Sequence, residues 1–185
     1  THFMPGKKLI MTRLLADRKT RKILGVQIVG PGKVDKRIDT MVAALTFGAT
    51  VDDLANMDLS YAPPLSSAME NLTNAANVMK NTIDGKAHDM RYEEFKSKLD
   101  SDDVVFVDLR TAHERAQKPV PAKHQLHIPI EELRARANEV PKDKEVVVFC
   151  ILSTRGFEGQ LILNNAGYDN VKFVQGGIQF WPLDK

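Results

Sequence analysis

The chain's single cysteine, Cys150, lies in the run Val146-Val147-Val148-Phe149-Cys150-Ile151-Leu152-Ser153-Thr154-Arg155-Gly156. Four consecutive apolar residues before it read as a strand buried on both faces, and Phe157 to Ala166 read as a helix about five residues further on. Cys150 is therefore expected at a strand–loop–helix junction. Backbone N–H groups of Ile151, Leu152, Ser153, Thr154 and Gly156, together with the helix N-terminus, can converge there on one atom and stabilise an anion. Sulfur so placed is favoured as the thiolate, which is the nucleophilic form. Arg155 adds a permanent positive charge and a planar fork suited to holding an anionic substrate by a bidentate contact. Each residue also has a plainer reading. Cys150 could be a small hydrophobe ending a core strand, and Arg155 a solvated residue opening a helix. Their combination at one junction favours chemistry.

The flanking sequence positions this junction. Val104-Val105-Phe106-Val107 is a second all-apolar strand, and Val171 to Val174 reads as a third. Tyr92 to Leu99 and Glu131 to Ala137 read as helices. Strands apolar on both faces and separated by helices imply a parallel sheet covered on both sides. Sites in such sheets lie beyond the carboxyl ends of the strands, here at Asp108-Leu109-Arg110 and at Cys150 to Gly156. His113, His124 and His127 are too scattered for a metal site.

The first half has a different pattern. Lys8 to Ala16 and Ile23 to Gly30 flank the polar break Asp17-Arg18-Lys19-Thr20 and read as an antiparallel hairpin. Ile38, Met41, Val42, Leu45 and Phe47 fall at helical spacing before Gly48, and Val51 to Met57 reads as a short helix. Tyr61-Ala62-Pro63-Pro64-Leu65-Ser66 excludes helix and central strand. A further helix is expected from Ser67 to about Thr82, and the boundary at Asp84-Gly85-Lys86.

At 27% charged and 43% hydrophobic residues the composition is globular, and a net charge of +2 is too small to point to nucleic acid. No apolar run approaches the ~20 residues of a membrane span, and the N-terminus lacks the pattern of a signal peptide. One cysteine excludes an intrachain disulfide and fits a reducing, cytoplasmic location. The opening without Met reads as a segment of a longer protein.

The second half resembles a rhodanese domain along nearly its whole length. Phe106-Val107-Asp108-Leu109-Arg110 is similar to the family's strand ending in Asp-x-Arg. His127-Ile128-Pro129-Ile130-Glu131-Glu132-Leu133 is similar to its Ile-Pro step before a helix. Cys150 to Arg155 matches its Cys-x-x-x-x-Arg active loop. Asn164 to Val171 is similar to its Ala-Gly-aromatic segment, and Gly176-Gly177-Ile178-Gln179-Phe180-Trp181 to its Gly-Gly-x-x-x-Trp ending. Ser153 stands where glycine is common, and Ala116 to Gln125 departs from the usual segment. The resemblance implies a sulfurtransferase. Cys150 would take a sulfane sulfur from polysulfide, thiosulfate or a persulfide, become a persulfide and pass the sulfur to a thiol acceptor. Arg155 would share the catalytic work, with Asp108 and Arg110 in support. Related phosphatases of the cell-cycle type carry one more loop residue, which disfavours a phosphatase or arsenate reductase. A non-catalytic sulfur-binding or interaction module remains the alternative.

Val34-Asp35-Lys36-Arg37-Ile38-Asp39, Ile23 to Gly30 and Tyr61 to Ser66 resemble the dimerisation domain of flavin-dependent pyridine nucleotide-disulfide reductases. The nearest group is the coenzyme A disulfide reductase type. His2 to Gly6 is similar to that domain's opening, although Phe3 and Met4 stand where tyrosines are usual. The resemblance implies an α+β domain over residues 1–88 that pairs with a second copy. Tyr61 would then lie at the partner subunit's active site, or be a buried interface tyrosine. The rhodanese domain would occupy residues 89–185. No Gly-x-Gly-x-x-Gly follows a strand, so no cofactor is expected to bind this segment. FAD, NAD(P)H and coenzyme A are implied for the full-length protein.

Overall fold

The computed structural model describes residues 8–62, 66–179 and 181, and the chain divides into two compact units, Thr1–Lys86 and Ala87–Lys185. His2 to Gly6, Pro63 to Leu65 and Phe180 lie outside the described residues.

The first unit is built on the expected hairpin. β1 (Met11–Ala16) pairs antiparallel with β2 (Ile23–Val29), with Leu14 opposite Val26. Asp17 closes the connection by accepting the Thr20 N–H at 2.6 Å. Side chains alternate across a strand. Leu14, Ala16, Val26 and Ile28 pack against a core of Ile23, Met41, Val51, Leu54, Leu72 and Ala76, while Leu15 and Val29 are exposed; Leu24, left out of the pairing by the register shift at Leu15/Ala16, is exposed as well. Helices α1 (Val34–Thr46), α2 (Val51–Ala55) and α3 (Asn71–Ile83) supply that core. Thr50 and Asp53 form a capping box that starts α2. The helix expected from Ser67 begins four residues later, because the buried Glu70 carboxylate caps the Leu72 N–H.

The second unit is a five-stranded parallel sheet in the order β3-β7-β6-β4-β5. Its strands are β3 (Asp89–Met90), β4 (Val104–Asp108), β5 (Gln125–His127), β6 (Glu145–Phe149) and β7 (Val171–Val174). Helices α4 (Tyr92–Lys98), α5 (Ala112–Gln117), α6 (Ile130–Arg136) and α7 (Thr154–Asn165) connect them. Val105, Val107, Val146 and Val148 point into one core with Leu133 of α6 and Leu163 of α7, and Phe106, Val147 and Phe149 into the other with Phe95 of α4. Both faces are covered, which is why these runs are continuously apolar. The Tyr168 hydroxyl lies between the Ala137 and Val140 carbonyls and fastens the turn after α7 to the end of α6.

The strand order reverses between β4 and β6, because β5 lies to one side of β4 and β6 and β7 to the other. At such a switch point the connections leave in opposite directions and open a crevice beyond the carboxyl ends. Asp108 ends β4, and Cys150 follows the last residue of β6. Strands β3 and β5 and helix α5 were not expected from the sequence. Helix α7 begins at Thr154 rather than Phe157, so the loop after Cys150 is shorter than expected.

Candidate active site

Cys150 is 1% exposed at the mouth of the crevice. The next three residues turn the chain from β6 into α7, and Ser153 makes the turn with a φ of +73°. That left-handed conformation is one that glycine adopts freely and serine at a cost.

The loop is held by its carbonyls. The Ile178 N–H donates to the Cys150 carbonyl at 3.1 Å, and the Gln179 N–H to the Ile151 carbonyl at 3.0 Å. Gly177 makes this approach possible: at φ +69°, a Cβ on it would lie 2.2 Å from the Ile151 oxygen. Beyond it, Lys118 Nζ donates to the carbonyls of Ile178, Gln179 and Trp181, and the Trp181 ring stacks on Tyr92 with centroids 4.5 Å apart. The Gly-Gly-x-x-x-Trp ending is thus the clamp on the cysteine loop. Among the described residues, none accepts a hydrogen bond from the backbone N–H groups of Ile151 to Gly156. An uncommitted run of donors after a cysteine and into a helix N-terminus is a ready place for negative charge.

Arg155 meets a carboxylate of its own chain. Its fork, expected free for an anionic substrate, is filled by Glu114, whose two carboxylate oxygens accept from Nη1 and Nη2 at 2.8 and 2.7 Å. Glu114 also accepts from the Thr111 N–H at 2.9 Å in the capping box that starts α5. Its carboxyl is held down to about 2, chiefly by Arg155 and, with burial opposing, by Thr111. Arg155 is raised above its ordinary value by Glu114 first and, more weakly, by Cys150.

Asp108 and Arg110 stand behind this pair. Both are fully buried, and Arg110 donates from Nε and Nη2 to the two Asp108 oxygens at 2.8 and 2.7 Å. Arg110 Nη1 reaches the carbonyls of Glu114 and Lys118, which fixes the backbone of α5, and the guanidinium lies 5.4 Å from the Phe149 ring centroid. A chain of contacts thus runs from Asp108 through Arg110 and Glu114 to Arg155. The sequence reading did not include Glu114 or Lys118. The pattern Thr111-x-x-Glu114 is a capping-box signature that could have located α5.

The histidines do not join the loop: His113 bonds Gln117, His124 bonds Asp102 and His127 bonds the Arg110 carbonyl. Tyr61 is 62% exposed on the first unit. Among the described residues there is no cluster of metal-ligating side chains and no helix long and apolar enough to cross a membrane. The turns after β4 and β6, Leu109 to Thr111 and Cys150 to Ser153, contain no glycine, and Gly177 after β7 is taken up by its approach to Ile151.

The sheet, the cysteine loop and the clamped tail define a rhodanese-type domain. The rhodanese-like domain family matches residues 91–183, and the chain belongs to it. The pyridine nucleotide-disulphide oxidoreductase dimerisation domain matches residues 1–73. A sulfurtransferase of Allochromatium vinosum is 34% identical over 103 residues, covering 56% of this chain and 89% of that protein. An NAD(P)H coenzyme A polysulfide/persulfide reductase of Pyrococcus horikoshii is 39% identical over 79 residues, 43% of this chain and 18% of that protein. The solved structure of an NAD-dependent persulfide reductase from A. fulgidus is 38% identical with a TM-score of 0.87, covering 98% of this chain and 32% of that one. The chain thus spans about a third of that reductase.

Proposed function

We propose that this chain carries sulfane sulfur as a persulfide on Cys150. The reading places it in the C-terminal part of a flavin-dependent NAD(P)H coenzyme A disulfide or polysulfide reductase. The observation that carries it is the uncommitted run of N–H donors from Ile151 to Gly156 following Cys150. The thiolate attacks the outer sulfur of R–S–SH. A bond forms between Cys150 Sγ and that sulfur, the donor's S–S bond breaks, and RS⁻ leaves with the electron pair. An acceptor thiolate then attacks the outer sulfur of the Cys150 persulfide and restores the Cys150 thiolate. The loop N–H groups balance the negative charge in both steps. In this reading residues 1–88 pair two copies, residues 89–185 form the sulfurtransferase, and FAD, NAD(P)H and coenzyme A belong to the part of the reductase outside this chain. Tyr61 would face the partner subunit's reducing centre.

The near-complete burial of Cys150 favours the other reading, a non-catalytic sulfur-binding or interaction module. One experiment separates the two. The parent chain, incubated with polysulfide, should gain one sulfur atom by intact mass spectrometry and lose it to a thiol acceptor. Cys150→Ser should do neither. Sulfur transfer that survives in Cys150→Ser, or a parent that gains none, rejects the sulfurtransferase reading.

A further inference from the structure

We infer that Glu114 selects the sulfur donor: by filling the Arg155 fork it turns the Cys150 loop away from oxyanion donors such as thiosulfate and toward persulfides and polysulfides. The inference deepens the sulfurtransferase reading and rests on it.

Transfer from thiosulfate joins Cys150 Sγ to the outer sulfur, breaks the S–S bond and releases sulfite with the electron pair. The sulfonate end of the donor needs a cation, and a bidentate guanidinium is the group whose geometry matches it. Here that geometry is satisfied from within the chain. To reach the fork, an oxyanion must displace a carboxylate, exchanging one anion for another and leaving Glu114 without its counter-charge. A persulfide donor presents no sulfonate and needs only the loop N–H groups.

Glu114 is held in place from two directions. Its carboxylate is also bound by the Thr111 N–H and hydroxyl, and its carbonyl by Arg110, itself buried against Asp108. The carboxyl stays ionised far below neutral pH, so the fork remains occupied where the protein works. The rim adds to the selection, because Leu152 presents an apolar side chain that is 48% exposed. Glu114 is thus a positioning residue acting through Arg155.

The test compares thiosulfate and glutathione persulfide as donors at one fixed thiol acceptor. In Glu114→Gln, kcat/KM for thiosulfate should rise relative to that for the persulfide by about tenfold, the scale of one charge-assisted hydrogen-bond pair, through a lower thiosulfate KM. Glu114→Asp, which keeps the carboxylate, should return the ratio toward the parent value. An unmoved ratio overturns the inference, as does a parallel fall with both donors, which would make Glu114 a fold support only. The parent chain tests it without any variant, since a preference for thiosulfate over the persulfide also overturns it. A parent that takes sulfur from neither donor rejects the sulfurtransferase reading and this inference together. Activity with an unmoved ratio rejects the inference alone.

Discussion

The two units differ in how much apolar surface they expose and in how completely they bury charge. In the N-terminal unit large apolar side chains stand outside: Leu15, Leu24 and Val29 on the open face of the hairpin, and Phe47, 87% exposed, after α1. Its Arg21 bridges Asp52 and Asp84 at the surface. The N-terminal unit buries one charge, Glu70, against a partly exposed Arg37, whereas in the C-terminal unit both members of a pair, Asp108 and Arg110, are fully buried. Neither choice helps an isolated domain. Exposed apolar area invites association, and a buried pair gains little over apolar packing. The exposed face fits a dimerisation domain, and the buried pair fits a site whose backbone must hold one position.

The comparison breaks first at the buried pair. Arg110→Ala leaves Asp108 buried without its partner and should cost about 3–5 kcal/mol. Arg21→Ala, at the surface, should cost far less, because solvent screens its ion pairs. Chemical denaturation of the two variants checks this, and equal losses would remove the distinction between inside and outside charge. The next effect is on assembly. Leu15→Glu with Leu24→Lys should convert a dimer to a monomer by sedimentation while leaving sulfur transfer at Cys150 intact. A parent chain that is already monomeric would remove the reason for the exposed face.

A third prediction uses acid. Glu114 titrates at about 2 in the folded chain against 4.5 for its ordinary value, so the unfolded chain binds its proton at higher pH. The stabilisation is complete above about 4.5 and is lost as pH falls toward about 2. Other carboxylates, among them Glu94 and Glu145, are also lowered, so the readout is a difference. Between those limits the parent should lose stability with acid more steeply than Glu114→Gln. Parallel curves would mean that the ion pair contributes nothing to the fold.

The sequence made the centre of the sheet legible and its margins illegible, for physical reasons. Val104 to Val107 and Val146 to Phe149 are buried on both faces, so their composition alone marks them as strands. β5 is three partly buried residues, Gln125-Leu126-His127, at a sheet edge, and β3 has two residues. Neither leaves a periodic trace. The cysteine loop was legible because its chemistry is contiguous. The partner of Arg155 was not, because Glu114 lies 41 residues away and the pairing exists only once β4 and β6 are adjacent. Arg110 stood out through its motif, but its grip on the carbonyls of Glu114 and Lys118 is tertiary.

The smallest effect expected concerns Ser153, the one residue of the Cys150 loop with a positive φ. A left-handed conformation costs a non-glycine residue about 1–2 kcal/mol, and glycine adopts it freely. Glycine also raises the entropy of the unfolded chain, which removes about 0.5–1 kcal/mol of that gain. Ser153 makes no side-chain hydrogen bond that caps α7, so its replacement loses no cap. Ser153→Gly should therefore be neutral to slightly stabilising, by about 1 kcal/mol or less, with the loop intact and transfer at Cys150 retained. Ser153→Val should destabilise by about 1–3 kcal/mol, because a β-branched side chain fits that conformation poorly. Thermal melts of both variants check the sign. A glycine variant clearly less stable than the parent would mean that serine is held by contacts its φ does not reveal.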